Sequence, residues 1–236
     1  MQPGAPSINL KTTSPPYLAV LYDLDGTLVD HFTAIHKAIN FAEKQLGQPL
    51  SPYAKVRATV GGSIEVTLSR LIGPELAPRA IPLFHQRLAE IMFDDLHPMA
   101  GAAWLLRELH ARGMRQAVLT NKTGEAARAV LNHLGWLPWL ELVLGTKDTP
   151  WRKPMPEFTQ HILNELQVPA DRALLIGDSP FDIDAAASVK MHCRMVATGS
   201  HTIEQLRAHQ PPPDAVFANL VDLGVATFGL AAASAS

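Results

Sequence analysis

The stretch Leu21-Tyr22-Asp23-Leu24-Asp25-Gly26-Thr27-Leu28-Val29-Asp30 sets two carboxylates two residues apart, where an apolar run meets a turn. The preceding Tyr17-Leu18-Ala19-Val20-Leu21-Tyr22 reads as a short buried strand, and Gly26-Thr27 bends the chain away from it. Asp23 and Asp25 are therefore expected at the carboxyl end of that strand, where open α/β sheets place their ligand crevice. Two acids this close repel each other unless a positive group sits beside them, so a hard divalent cation is expected there. Taken alone, the same residues read at least as well as a surface acidic turn. The rest of the chain decides between the two.

Beyond the first motif, Ile35, Ala38, Ile39, Ala42 and Leu46 recur at helical spacing from about Phe32, and Gly47 closes that helix. A short helix and connection are expected between Pro49 and Val60. Gly61-Gly62-Ser63 then breaks the chain before a second stripe of Ile64, Leu68, Leu71 and Ile72. A third stripe carries Ile81, Phe84, Leu88, Ile91 and Met92, with Pro82 tolerable only in its first turn. From Asp30 to His97 the pattern is helical throughout. After it, helices alternate with strands near Gln116–Thr120, Glu141–Leu144, Arg172–Ile176, Arg194–Ala197 and Ala215–Phe217. Such repeated units predict a parallel sheet covered by helices on both faces, an α/β fold. The all-helical block then reads as an insertion standing over the crevice as a cap. The expected division is a core of residues 17–30 and 98–228, a helical cap of residues 31–97, and loose tails at 1–16 and 229–236.

Of the 236 residues 47% are hydrophobic, enough for a sizeable core, while a formal charge of -2 provides no field for binding nucleic acid. The single cysteine, Cys193, allows no disulfide within the chain and reads as a small buried residue. Residues 1–16 lack the apolar core of a signal peptide, and the apolar stretch from Leu223 to Ala233 is too short to span a bilayer. It reads as a docking helix. A cytoplasmic protein without membrane or nucleic-acid partners is expected.

Three further stretches bear on the acidic pair. Thr120-Asn121 ends a strand and Thr123 is placed to cap the next helix, so a phosphate could dock there; a plain polar turn is the alternative. Lys153 stands before Pro154-Met155-Pro156, and a loop stiffened by prolines can aim an ammonium, although Lys147 and Arg152 compete for that role. Gly177-Asp178-Ser179-Pro180-Phe181-Asp182 follows another strand. Ser179, Pro180 and Asp182 suffice for a helix cap, with Asp182 completing a capping box. Asp178 precedes the cap with no local backbone task, and a third carboxylate at the same sheet edge suits a Mg2+ site.

Together, Asp23-Leu24-Asp25-Gly26-Thr27-Leu28-Val29-Asp30, Thr120-Asn121, Lys153-Pro154 and Gly177-Asp178-Ser179-Pro180-Phe181-Asp182 resemble the four ordered motifs of the haloacid dehalogenase superfamily. The helical insert resembles the small α-helical cap of its phosphoglycolate phosphatase branch. The resemblance implies a Rossmann-like sheet with the strand of the first motif central. It implies Asp23 as the nucleophile that becomes an aspartyl-phosphate and Asp25 as the general acid and base. It implies Mg2+ held by the Asp23 carboxylate, the Asp25 main-chain carbonyl and Asp178, with Asp182 ligating or orienting through water. Thr120, Asn121 and Lys153 would hold the phosphoryl oxygens.

Retention of an acid at Asp25 sets the chain apart from dehalogenases and phosphonate hydrolases of similar build, and points to phosphate esters. Ile64 stands after Gly61-Gly62-Ser63 where hexose-phosphate mutases of similar build carry a basic residue, and His36 is the remaining candidate for a mutase base. Gly61, Gly62 and Ser63 are expected to form the cap loop that reaches the crevice, with an ordinary break between helices as the alternative. His31 and Phe32 are expected at the hinge, facing substrate. The four tryptophans read as packing residues, and no paired His/Cys spacing suits zinc. The expected protein is a Mg2+-dependent phosphatase of a small phosphorylated metabolite such as 2-phosphoglycolate, a monomer or homodimer. The alternatives are a phosphomutase or pyrophosphatase on the same core, and a non-catalytic phosphate-binding module.

Overall fold

The computed structural model describes residues 17–231, so the tail expected at 1–16 and most of that expected at 229–236 lie outside the described residues. In chain order, β1 (Ala19–Tyr22) and the two-residue β2 (Val29–Asp30) precede helices α1 (Phe32–Gln45), α2 (Tyr53–Arg57), α3 (Ile64–Ile72) and α4 (Ala77–Ile91). Then come β3 (His97–Pro98), α5 (Ala102–Ala111), β4 (Arg115–Thr123), α6 (Gly124–His133), β5 (Leu142–Thr146), α7 (Pro156–Glu165) and β6 (Ala173–Gly177). The chain continues through α8 (Pro180–Ser188), β7 (His192–Val196), α9 (Ile203–Arg207), β8 (Ala215–Phe217) and α10 (Leu220–Phe228).

Six strands make one parallel sheet in the order β5-β4-β1-β6-β7-β8. Val20 and Tyr22 of β1 pack with α5, α6 and α10, while Ala19 and Leu21 pack with α7, α8 and α9. Burial on both faces is why β1 reads as an unbroken apolar run rather than an alternating one. The chain first builds β1, β4 and β5 outward in one direction, then returns to lay β6, β7 and β8 on the other side. The reversal falls between β1 and β6, where ligand crevices of open α/β sheets form.

Helices α1, α3 and α4 bury a separate apolar cluster that includes Ile35, Ile39, Leu68, Phe84 and Leu88, so the insert has a core of its own. It joins the sheet layer through a feature absent from the helical pattern of the sequence: β2 and β3 pair antiparallel, Val29 with Pro98 and Asp30 with His97. Two residues on each side are too few for a periodic signal. Pro82 lies inside α4 rather than in its first turn, because the helix already starts at Ala77 with Pro78 in that turn. Pro82 is exposed, and burial of Ala80, Phe84, Leu88 and Ile91 offsets the missing N–H, a cost of about 3 kcal/mol. Thr123 occupies the cap position of α6, but its hydroxyl makes no cap hydrogen bond, since β4 carries the chain straight through Asn121 and Lys122 into the helix. Cys193 is buried and free. Trp136 is buried, and Trp104, Trp139 and Trp151 pack against the two core clusters. Leu230 remains buried against the core, so the docked part of the chain runs past α10.

The strand that precedes Asp23 is anchored by a buried polar knot. The Tyr22 hydroxyl donates to Gln116 Oε1 at 2.7 Å, and Gln116 Nε2 donates to the carbonyls of Leu106 at 2.9 Å and Trp139 at 3.2 Å. Gln116→Leu leaves the buried Tyr22 hydroxyl without its acceptor and removes the two bonds to the carbonyls, and is expected to cost about 1–3 kcal/mol of unfolding free energy. Tyr22→Phe in that background should recover part of it, which urea denaturation of the two single variants and the double variant measures.

Candidate active site

Three adjacent strands end at one place. β1 delivers Asp23, whose amide still donates to Ile176 of β6 at 2.9 Å, β4 delivers Thr120 and Asn121, and β6 delivers Asp178. Gly26, at φ +93, closes the turn after Asp25 with its amide on the Val29 carbonyl at 2.8 Å. A Cβ on Gly26 would lie 2.7 Å from the Asp178 carboxylate, so glycine meets both the backbone angle and the close approach. Oxygens of Asp23, Asp178 and Asp182 lie within 4.8 Å of one another, all buried.

Lys153 is the counter-charge. It is 1% exposed, and its ammonium bridges Asp23 Oδ1 at 2.8 Å and Asp182 Oδ1 at 2.6 Å. Its backbone is held by Asn121, whose Oδ1 accepts from Lys153 N at 2.8 Å and whose Nδ2 donates to the Lys153 carbonyl at 3.1 Å. Asn121 Nδ2 also donates to the Gly61 carbonyl of the insert at 3.1 Å. The Asn121 side chain is thus engaged in positioning Lys153 and Gly61. Of the rival cations, Lys147 lines a separate groove with Arg128, and Arg152 makes no ion pair with the acids.

Asp182 completes the capping box with Ser179: its Oδ2 accepts from Ser179 N at 3.1 Å and Ser179 Oγ at 2.8 Å. Both of its oxygens are therefore engaged, one by the cap and one by Lys153. Asp178 is held by Thr27 of the first motif and by Ser200, which the sequence did not flag. Thr27 Oγ1 donates to its Oδ1 at 3.2 Å, and Ser200 N and Oγ donate to its Oδ2 at 2.9 and 3.1 Å.

Asp25 has different neighbours. Lys122 Nζ lies 2.9 and 3.1 Å from its two oxygens, and also donates to His31 Nδ1 at 3.1 Å. His31 Nε2 in turn donates to the Met92 carbonyl at 2.7 Å, tying this group to the end of the insert. His31 has no exposed surface and stands 3.5 Å from Asp25. Lys122 was not singled out from the sequence, although its position directly after Thr120-Asn121 at a strand end was the available signal.

These surroundings set opposite charge states. Burial, with Asp182 close by, raises Asp23 to about 6 despite Lys153. Burial and the neighbouring Asp23 and Asp182 raise Asp178 to about 8. Burial pushes Asp25 the same way, but the Lys122 ammonium and His31 outweigh it and hold Asp25 well below the usual carboxylate range. Burial would lower Lys153, and Asp182 and Asp23 overcome it, so its ammonium is held charged. Four acids, Asp23, Asp25, Asp178 and Asp182, face two ammoniums, Lys122 and Lys153. The deficit of positive charge and the all-oxygen donor set fit a hard divalent cation such as Mg2+.

The insert closes over this group. A cavity of about 70 Å³ is lined by Ile35, Val60, Phe84 and Leu88 on one side and by Asp25, Asn121 and Lys122 on the other. A smaller one, about 20 Å³, reaches Asp23, Gly61 and Thr120, and Asp25, Val60, Gly62, Asn121 and Lys122 line both. Gly61 sits where a Cβ would come within 3.0 Å of Ser179. Ser63 is buried at the start of α3 without a cap hydrogen bond, and lines neither cavity. Nor does His31. His36 Nε2 lies 2.9 Å from the Ser51 carbonyl within the insert, away from the acids. Arg57 of α2 donates to the carbonyls of Thr198 at 3.1 Å and Gly199 at 3.2 Å, beside the Ser200 that holds Asp178.

Comparison with known proteins agrees with this geometry. The sequence pattern of the haloacid dehalogenase-like hydrolases matches residues 20–196. A plasmid-borne phosphoglycolate phosphatase of Cupriavidus necator is 33% identical over 80% of this chain and 85% of its own. The phosphoglycolate phosphatase of Nitrosospira multiformis is 29% identical over 78% and 85%. Among solved structures, a haloacid dehalogenase-like family hydrolase from Streptococcus pneumoniae superposes with a TM-score of 0.80 at 21% identity, covering 88% of this chain and 97% of that one. With its parallel sheet, its acids at the reversal point and these relatives, the chain belongs to the haloacid dehalogenase-like hydrolase family, in its phosphoglycolate phosphatase-like branch.

Proposed function

We propose that this protein is a Mg2+-dependent phosphatase that hydrolyses a small phosphate monoester of the 2-phosphoglycolate kind through an aspartyl-phosphate on Asp23. The observation that carries the reading is Asp23 Oδ1 held 2.8 Å from the buried Lys153 ammonium, with Asp178 and Asp182 beside it at the strand ends. Mg2+ would be held by the Asp23 and Asp178 carboxylates and the Asp25 main-chain carbonyl, and it would neutralise charge on the phosphoryl group. Asp182, engaged by Lys153 and Ser179, orients Lys153.

In the first step an Asp23 oxygen attacks phosphorus, the ester P–O bond breaks, and the leaving alkoxide takes a proton from Asp25. In the second, Asp25 removes a proton from water, which attacks the same phosphorus and releases phosphate from Asp23. The ionised Asp25 favoured by Lys122 and His31 is the form needed for the second step. The Thr120 hydroxyl and the Lys153 ammonium hold the phosphoryl oxygens, so most of the work is positioning and neutralisation. The helical insert serves as the cap. Its Gly61-Gly62 corner borders the phosphoryl end of the crevice, and its apolar helices enclose the leaving group.

Phosphate release from a panel of small esters at fixed Mg2+, with 2-phosphoglycolate included, is the direct test. Asp23→Asn is expected to lower kcat by at least about a thousandfold. Equal low rates for the wild type and the variant, with and without Mg2+, would refute the enzymatic reading.

The ion-free protein should also show a pH signature. Asp23 at about 6 and Asp178 at about 8 lie above the value of 3.8 for a free carboxyl, so the folded state binds more protons than the unfolded one. Their contribution to stability is full below the unfolded pKa and is lost as pH rises through those two values. Below that window Asp25 acts in the opposite sense. Mg2+ competes with the protons, so the melting-temperature gain on adding it to chelator-treated protein is expected to be larger at pH 8 than at pH 5. Metal at about 100 times its Kd adds about 2.7 kcal/mol. An equal gain at both pH values would count against the acidic cluster as the metal site.

A further inference from the structure

The crevice has two ends of different chemistry, and the acids and Lys153 account for only one. In the larger cavity an apolar wall of Ile35, Val60, Ile64, Phe84 and Leu88 faces a polar side that includes Asp25, Asn121 and Lys122, and among the described residues lining it Lys122 is the one lysine or arginine. Lys122 lies near the end of β4, two residues past Thr120, and lines both cavities, so it stands where the phosphoryl end meets the leaving-group end. His85 of α4 faces the same cavity, and its Nε2 is buried with no hydrogen-bond partner. A buried ring nitrogen without a partner is costly unless a ligand group supplies one. Burial together with Lys147 and Lys122 holds His85 toward the neutral imidazole, which can still donate one N–H. Glu65 also lines the cavity, from its exposed side.

We infer that Lys122 and His85 form a subsite for a second anionic group of the substrate, a carboxylate on the alcohol that leaves. The inference rests on the reading of the Asp23 end as the phosphoryl site. An ammonium has three hydrogens, and in this structure they serve Asp25 and His31. A carboxylate entering the larger cavity shares that ammonium with Asp25 and takes the His85 N–H. A cavity of about 70 Å³ suits a leaving group of a few heavy atoms. Lys122 thereby becomes a specificity-determining residue: esters with a neutral leaving alcohol forgo the contact and are poorer substrates.

The test compares kcat/KM for 2-phosphoglycolate, ethyl phosphate and ethylene glycol bisphosphate in the wild type, Lys122→Met, Lys122→Arg and His85→Leu. The wild type should prefer 2-phosphoglycolate. Lys122→Met should lower the ratio of 2-phosphoglycolate to ethyl phosphate about 10- to 100-fold, mainly through KM, as loss of a charge-assisted hydrogen bond would. Lys122→Arg should restore most of the ratio, and His85→Leu should lower it by a smaller factor. If Lys122 acted only by positioning Asp25, both rates would fall together and the ratio would stay, which overturns the subsite. A preference for the bisphosphate that Lys122→Met removes overturns the carboxylate assignment. Should Lys122→Met fail to fold, an unchanged ratio in His85→Leu overturns the inference by itself. The same ratio read as Kd by calorimetry on the Asp23→Asn background needs no turnover, so failure of the proposed activity and failure of the subsite are separate results.

Discussion

The structure turns on one electrostatic constraint: Asp23, Asp178 and Asp182 are buried within 4.8 Å of one another with a single ammonium, Lys153, bridging two of them. Ionised carboxylates at that distance in a water-poor site repel strongly, and the raised Asp23 and Asp178 report it. The fold tolerates the arrangement because parallel strands bring chain segments far apart in sequence to one edge. Donors from surrounding loops then absorb much of the charge. Thr27 and Ser200 serve Asp178, and Ser179 serves Asp182. What those contacts leave unbalanced is negative charge, which a divalent cation would neutralise.

Asp25 belongs to a second, separate charge group. Only one residue lies between it and Asp23, yet it faces Lys122 and His31 rather than Lys153, and its carboxyl is held low where that of Asp23 is raised. Two acids two residues apart are thus driven to opposite proton affinities by different counter-charges. The separation costs the chain two buried lysines. Each is held by a neighbour distant in sequence, Lys153 by Asn121 of β4 and Lys122 through His31 by the end of the insert.

The insert has its own apolar core, and among the described residues it meets the sheet layer through a few polar contacts: the short β2–β3 ribbon, Asn121 to Gly61, Arg57 to the loop at Thr198 and Gly199, and His31 to Lys122. Several of these end on residues that also hold an acid or a lysine of the site. Movement of the insert would therefore alter the counter-charges at the sheet edge directly.

Much was legible in the chain by itself. The apolar runs ending in Asp23 and Asp178, the helical stripes of residues 32–92 and the strand–helix rhythm after them determined a doubly covered parallel sheet with a helical insert. Such patterns are local: period and turn residues report which faces are buried and where strands end. Asp23, Asp178, Asp182 and Lys153 were readable because each sits at such an end or in a proline-stiffened loop. Tertiary structure alone decided which cation meets which acid, that the Asn121 side chain holds Lys153 and Gly61, that His31 is buried beside Asp25, and that Ser200 and Arg57 support the site. Those pairings join residues up to 142 positions apart, as between Arg57 and Gly199. No local period encodes them, because they arise only when strand order and the placing of the insert bring the ends of separate elements to one edge of the sheet.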